Sequence, residues 1–280
     1  MLKAWTPLSF EFFPPRSDEQ QQRFEAAWRE LAALKPEYFS VTFGAGGSSL
    51  DATHKAVMGL QANSGVPVAP HVSCKVDSRE ALAGYLDDYA KAGVRRLVLL
   101  RGDRQADGAE EGPFCYANEL VSFVREHCGD RFSIEVACYP EFHPESASPG
   151  AELKYFRRKV DAGATGAITQ YFYNADSYFR FIDDCQKAGI TIPIRPGILP
   201  ITNYRQLSRF SEQCGAEIPQ WILKRLEAYG EDRESIRAFG LEVVTDLCSR
   251  LLRGGAPGLH IYSLNQSDPS LRLIQRLTKD

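Results

Sequence analysis

The sequence predicts a (β/α)8 barrel. Three observations point there. Short β-rich runs alternate with longer runs whose apolar residues recur at helical spacing. A repeated signal, Lys91-Ala92-Gly93-Val94, Asp161-Ala162-Gly163-Ala164 and Lys187-Ala188-Gly189-Ile190, ends a helix just before a strand. Glycine there suits the left-handed residue that terminates a helix. Finally, the first strand is followed by Pro14-Pro15 and not by G-x-G-x-x-G, the fingerprint of the rival doubly wound sheet. Gly44-Ala45-Gly46-Gly47, after the second strand, lacks that spacing as well.

The strands read as Leu8–Phe13, Tyr38–Thr42, Val68–Ser73, Leu97–Leu100, Ser133–Cys138, Ala167–Gln170, Ile192–Pro196 and Gly258–Ser263. Between the first seven lie helical segments 20–34, 52–61, 78–92, 116–127, 152–162 and 176–188. In the first of these, Phe24, Ala27, Leu31 and Leu34 make a stripe at i, i+3, i+7 and i+10. Asp77-Ser78-Arg79-Glu80 reads as a capping box opening the third. The last inter-strand segment is long, with helices over 203–210, 219–227 and 232–253, and a short helix over 268–277 closes the chain. No linker or low-complexity stretch divides it, so residues 1–280 are expected to form a single domain.

Composition narrows the function. Of 280 residues, 44% are hydrophobic and 25% charged, as in an ordinary globular protein, with formal net charge −3. No basic stripe invites nucleic acid, and no apolar run is long enough to span a membrane. The N-terminus lacks a signal-peptide apolar region. The seven cysteines are odd in number and form no C-x-x-C. They read as reduced thiols in a cytoplasm, with no metal site.

In a barrel, chemistry sits at the C-terminal ends of the strands. Glu11 lies there inside Ser9-Phe10-Glu11-Phe12-Phe13, just before the prolines. Alternation puts Phe10 and Phe12 on one face and Ser9, Glu11 and Phe13 on the other. A buried carboxylate is costly without a partner, so Glu11 is either a proton-transfer group or an acid paired with a neighbouring arginine. The other strand ends carry Thr42, His71, Arg101-Gly102-Asp103, Cys138-Tyr139, Gln170, Gly197 and Tyr262-Ser263-Leu264-Asn265. Each alone has a structural reading: a satisfied histidine at 71, a salt-bridged turn at 101–103, a solvated charged face at Arg157-Arg158-Lys159. A purely structural barrel has little reason to end so many apolar strands in polar groups.

Taken together, Ser9–Arg16, Val41–Ala45, Ala69-Pro70-His71, Leu100–Asp103, Tyr139–Glu145, Arg158–Ala164, Ala167–Gln170 and Pro196–Pro200 resemble the methylenetetrahydrofolate reductases. The resemblance runs in order from about Leu8 to Leu277. It implies a flavin barrel in which FAD lies on the strand ends and NADH or NADPH is the co-substrate. The folate substrate, 5,10-methylenetetrahydrofolate, is then reduced to 5-methyltetrahydrofolate in a ping-pong relay. It also implies a homo-oligomer. By position, Glu11 resembles the family's general acid and Asp103 the acid beside flavin and pterin. Thr42, Phe43, Ala45, His71, Arg101, Gly102, Asp103, Tyr116, Ala117, Tyr139, His143, Ser146, Glu152, Arg158 and Lys159 fall where the family holds FAD. Gln170 falls on the group shared by folate and nicotinamide, and Gln206, Phe210 and Gln266 near the folate.

Two positions depart from the familiar pattern. Glu152 stands in place of Asp, and Gln266 in place of an Arg near the folate. The chain has no counterpart of the regulatory domain of larger relatives, so feedback by S-adenosylmethionine is not expected. Two other readings stay open at this level. One is a barrel that binds flavin or folate without catalysis. The other is a phosphate-binding barrel lyase or isomerase using Glu11 as a base. A flavin absorbance band separates the reductase from the lyase, and retention of Glu11, Asp103 and Gln170 speaks against a mere binder.

Overall fold

The structure is a computed structural model and describes residues 6–43, 50–102 and 112–279. Nine strand segments occur in it: β1 (Leu8–Phe12), β2 (Tyr38–Val41), β3 (Val68–Ser73), β4 (Arg96–Leu100), β5 (Ser133–Cys138), β6 (Gly166–Thr169), β7 (Ile194–Arg195), β8 (Gly197–Ile198) and β9 (Leu259–Tyr262). All pair in parallel, in the order β7-β6-β5-β4-β3-β2-β1-β9-β8. The predicted seventh strand is split. Ile194 and Arg195 pair with β6, whereas Gly197 and Ile198 pair with β9. Pro196 stands between them and has no N–H to give. Its carbonyl accepts from the His260 N–H at 3.0 Å. One bent run therefore closes the ring, serving one neighbour before the proline and the other after it.

The helices α1 (Asp18–Ala32), α2 (Leu50–Asn63), α3 (Arg79–Lys91), α4 (Ala117–Cys128), α5 (Pro149–Asp161) and α6 (Ala175–Lys187) follow β1 to β6 in turn. Three extra helices, α7 (Tyr204–Cys214), α8 (Gln220–Tyr229) and α9 (Arg233–Arg253), precede β9, and α10 (Asp268–Lys279) follows it. Side-chain caps start many of them. Ser17, Ser78 and Ser148 each accept from the backbone N–H three residues on. The capping box expected at Asp77–Glu80 is corrected: Ser78 is the cap and the third helical residue is Ala81, so only half of the motif exists. Gly93, Gly163 and Gly189 end α3, α5 and α6 with positive φ of 84°, 115° and 73°.

Strand alternation divides the core in two. Phe10 and Phe12 are fully buried beneath the helices, with Phe12 edge-on to Phe24 of α1 at 5.6 Å and to Phe39 at 5.1 Å. Burial of such side chains contributes roughly 1.5–3 kcal/mol each. Inside the barrel, Tyr38, Ala69, Val98 and Ile168 form a small separate apolar plug. A charged layer adjoins it. Arg96 bridges Glu37 and Glu135, both at 2.5 Å, Arg195 pairs with Glu37 at 2.7 Å, and both guanidinium groups lie over the Tyr38 ring. The interior is thus closed toward the strand N-termini, and the C-terminal mouth is the end left to chemistry.

Candidate active site

Glu11 is held by the last turn of β1, in register between Ser40 of β2 and Tyr262 of β9. Its side chain points into the barrel and keeps only 14% exposure. Among the described residues no arginine pairs with it. Instead, its Oε2 lies 3.4 Å from Nε2 of both His71 on β3 and His260 on β9. Burial raises the Glu11 pKa above the ordinary carboxylate value, and the nearby His71 pulls weakly the other way. The same burial lowers His71 to about 4 and His260 to about 3. Burial thus works against charge on all three groups.

The chain ends of β1 and β9 are fastened together beside this acid. Ser263 Oγ donates to the Glu11 carbonyl at 2.5 Å. Asn265 accepts from the Phe13 N–H and donates to the Phe13 carbonyl, both at 2.9 Å. Leu264 and Asn265 turn the chain with φ of 51° and 56°, a region Asn tolerates better than most residues. On the far side, Tyr262 Oη donates to the Thr169 carbonyl at 2.8 Å, and Thr169 Oγ1 accepts from Gly197 N–H at 2.9 Å. Gln170 follows directly, its Oε1 accepting from the Tyr171 N–H at 3.0 Å.

Other predicted residues form a second group on the loops after β4 and β5. Arg101 makes a two-pronged pair with Glu145, at 2.7 and 3.0 Å. The Tyr139 and His143 rings meet edge to face at 4.8 Å. Ser146 donates to Glu152, which is buried. Glu152, Phe156 and Lys159 share the inward face of α5, and Lys159 Nζ donates to the Ala137 carbonyl at 2.6 Å. Burial lowers the Lys159 pKa, with Glu152 opposing. Arg158 lies on the exposed side of α5, its guanidinium over Tyr155 at 5.7 Å. Tyr116 is exposed at the start of α4 and Ala117 is buried behind it. Gln206 and Phe210 stand one turn apart on α7, and Gln266 is exposed after the β9 turn. Phe43 and Gly102 are described, whereas Ala45 and Asp103 lie outside the described residues.

Among the described residues several buried side-chain polar atoms lack a hydrogen-bond partner, and two of them belong to residues predicted for the site. Thr42 Oγ1 and His71 Nε2 have no hydrogen-bond partner among the described residues, the latter being close to Glu11 but misaligned. Thr42 directly follows β2, and His71 lies on the neighbouring β3. Buried polar atoms are rarely left unsatisfied, so the site suits a polar cofactor such as the flavin these residues were assigned to. His260, Ser9 and Arg195 were not singled out from the sequence. The signal was present for two of them: alternation places Ser9 on the face of Glu11, and His260, two residues before Tyr262, on the inner face with it.

The methylenetetrahydrofolate reductase family model matches residues 3–278. The chain is 39% identical over 270 residues to 5,10-methylenetetrahydrofolate reductase of Salmonella typhimurium, covering 96% of this chain and 90% of that one. It is 38% identical over 276 residues to the Pectobacterium carotovorum enzyme of the same name, covering 99% and 91%. A solved Clostridium thermocellum protein, described as binding two copies of 5-methyl-5,6,7,8-tetrahydrofolic acid, superposes with TM-score 0.67 at 13% identity. The superposition covers 98% of this chain and 96% of that one, and it shows a shared fold. On a match that spans almost every residue of the barrel, the chain belongs to the methylenetetrahydrofolate reductase family.

Proposed function

We propose that this protein reduces 5,10-methylenetetrahydrofolate to 5-methyltetrahydrofolate with NADH or NADPH. The observation that carries the reading is Glu11, a nearly buried acid at the barrel mouth whose surroundings favour its protonated form. Opening the methylene bridge requires a proton on the departing folate nitrogen, which leaves an iminium ready for hydride. An acid with a raised pKa keeps its proton to higher pH than an ordinary carboxyl does. Glu11 is the group in place to give it.

FAD, when bound, would carry the hydride from nicotinamide to folate. Thr42 and His71 would satisfy their buried polar atoms on it. Arg101, Tyr139, His143, Ser146, Glu152 and Lys159 would hold its remainder, with Lys159 and Arg158 supplying positive charge for the pyrophosphate. Gln170, Gln206 and Phe210 would orient the folate, and Asp103 would complete the acid pair.

Two measurements test this. Purified protein is expected to show a flavin absorbance band, and a colourless preparation that gains none with added FAD would refute the cofactor. Glu11→Gln is expected to slow the folate half-reaction about 10²- to 10⁴-fold, the usual cost of losing general acid catalysis. Flavin reduction by the nicotinamide should continue. Equal slowing of both half-reactions would make Glu11 structural.

A further inference from the structure

Residues 139–146, after β5, carry Tyr139, His143 and Ser146, all assigned to the cofactor, and α7 carries Gln206 and Phe210, assigned to folate. The two segments meet at the end of α7. Glu141 is half-buried there, and its Oε2 accepts from the Glu217 N–H at 2.9 Å. That N–H lies in the link between α7 and α8, outside both helices. Ser177 and Arg180 of α6 flank the same carboxyl. Beside this bond Pro144 packs on Gly215, which ends α7 with φ of 74°. A Cβ on Gly215 would stand 2.6 Å from Pro144 Cγ. Between the two contacts Phe142 is held at φ of 79°, a conformation an aromatic residue keeps only where its surroundings impose it.

We infer that Glu141 is a positioning residue that clasps the cofactor loop to the end of the folate helix, so that two walls of the site keep one arrangement. The inference rests on the proposed reading of those two segments. A carboxyl withdrawn from water is costly unless its oxygens are used, and this one reaches a backbone N–H 76 residues along the chain. The last turn of α7 has a second tie. Tyr171 Oη lies 3.0 Å from Ser211 Oγ and accepts from Cys214 Sγ at 3.4 Å. Tyr171 directly follows Gln170, so α7 is fastened to the chain ends of β5 and β6 together. Cutting the first tie leaves α7 seated on Tyr171 and frees the cofactor loop from it.

The bond needs only an acceptor oxygen. Glutamine at 141 keeps one, and alanine does not. A site whose binding arrangement is no longer fully populated loses apparent affinity by that fraction, whereas its rate at saturation is kept.

Hydrogen exchange and ligand titration test the clasp. The Glu217 amide, and the Ser146 amide that donates to the His143 carbonyl at 2.8 Å, should exchange slowly in the parent. Both should exchange faster in Glu141→Ala, while the amides of α10 keep the parent's rates. The Kd for FAD, read from flavin fluorescence, and the KM for folate should each rise about 3- to 10-fold, with both half-reactions near the parent's rates at saturation. Glu141→Gln should restore the protection and both constants. Parent-like constants in Glu141→Ala would overturn the inference, and so would a Glu141→Gln variant no better than the alanine. If Glu141→Ala does not fold, Gly215→Ala decides the matter, because its methyl drives Pro144 off α7: an unchanged Kd for FAD there overturns the clasp. Failure of the functional reading looks different. A parent that takes up no flavin refutes the assignment of the loop, whereas a parent that binds and turns over normally beside an indifferent Glu141→Ala refutes the clasp alone.

Discussion

Glu11, His71 and His260 share one buried space, and burial acts on them with opposite signs. A carboxyl whose folded pKa is raised stabilises the fold most below its unfolded value, near 4.5, and that contribution is lost as pH rises through the folded value. Glu11→Gln is therefore expected to be more stable than the parent at pH 8 and equal to it at pH 4, by urea unfolding. For a histidine with a lowered pKa the window reverses. The contribution is complete above the unfolded 6.5 and is lost as pH falls toward about 4 for His71. Between pH 6.5 and 5, unfolding should take up protons, and His71→Gln should make the loss of stability with acid shallower. An unchanged slope would place His71 in water, not in the barrel. Strand alternation made the inward direction of Glu11 legible in the sequence. Its two imidazole partners were not, because β3 and β9 reach it only through strand register.

At the scale of the element, the split between β7 and β8 sets how the barrel closes. Proline ended the predicted strand in the right place, but the sequence did not show that pairing resumes at Gly197. A side chain there has no room: a Cβ on Gly197 would stand 2.2 Å from the Thr169 carbonyl oxygen and 2.6 Å from Tyr262 Oη. Both neighbours form the wall beside Gln170. Gly197→Ala is expected to destabilise the protein by about 3 kcal/mol, at the upper end of overpacking costs. The thermal unfolding midpoint is the check, and a midpoint within a degree of the parent's would mean that β8 does not close the ring. The capping box misread at Ser78 has the same origin as the split strand. Motif spacing identified the punctuating residue, and backbone hydrogen bonding fixed where the element starts.

For the whole molecule, the interior is closed toward the strand N-termini, and the proposed function puts both folate and nicotinamide at Gln170 in the C-terminal mouth. The two substrates should then exclude one another. Initial rates measured against each substrate are expected to give parallel double-reciprocal lines, and intersecting lines would require both to bind together. The sequence by itself determined the alternation of strands and helices, the extra helices before the last strand, and the family. Those follow from local periodicity, from turn residues and from motifs that recur in order along the chain. The tertiary structure alone decided what surrounds the acid. It set two histidines against Glu11, and it drew Ser9, Arg195 and Glu37 into a hydrogen-bonded string behind one of them. These residues lie as far apart in sequence as β1 and β9, and only closure of the barrel brings them within bonding distance.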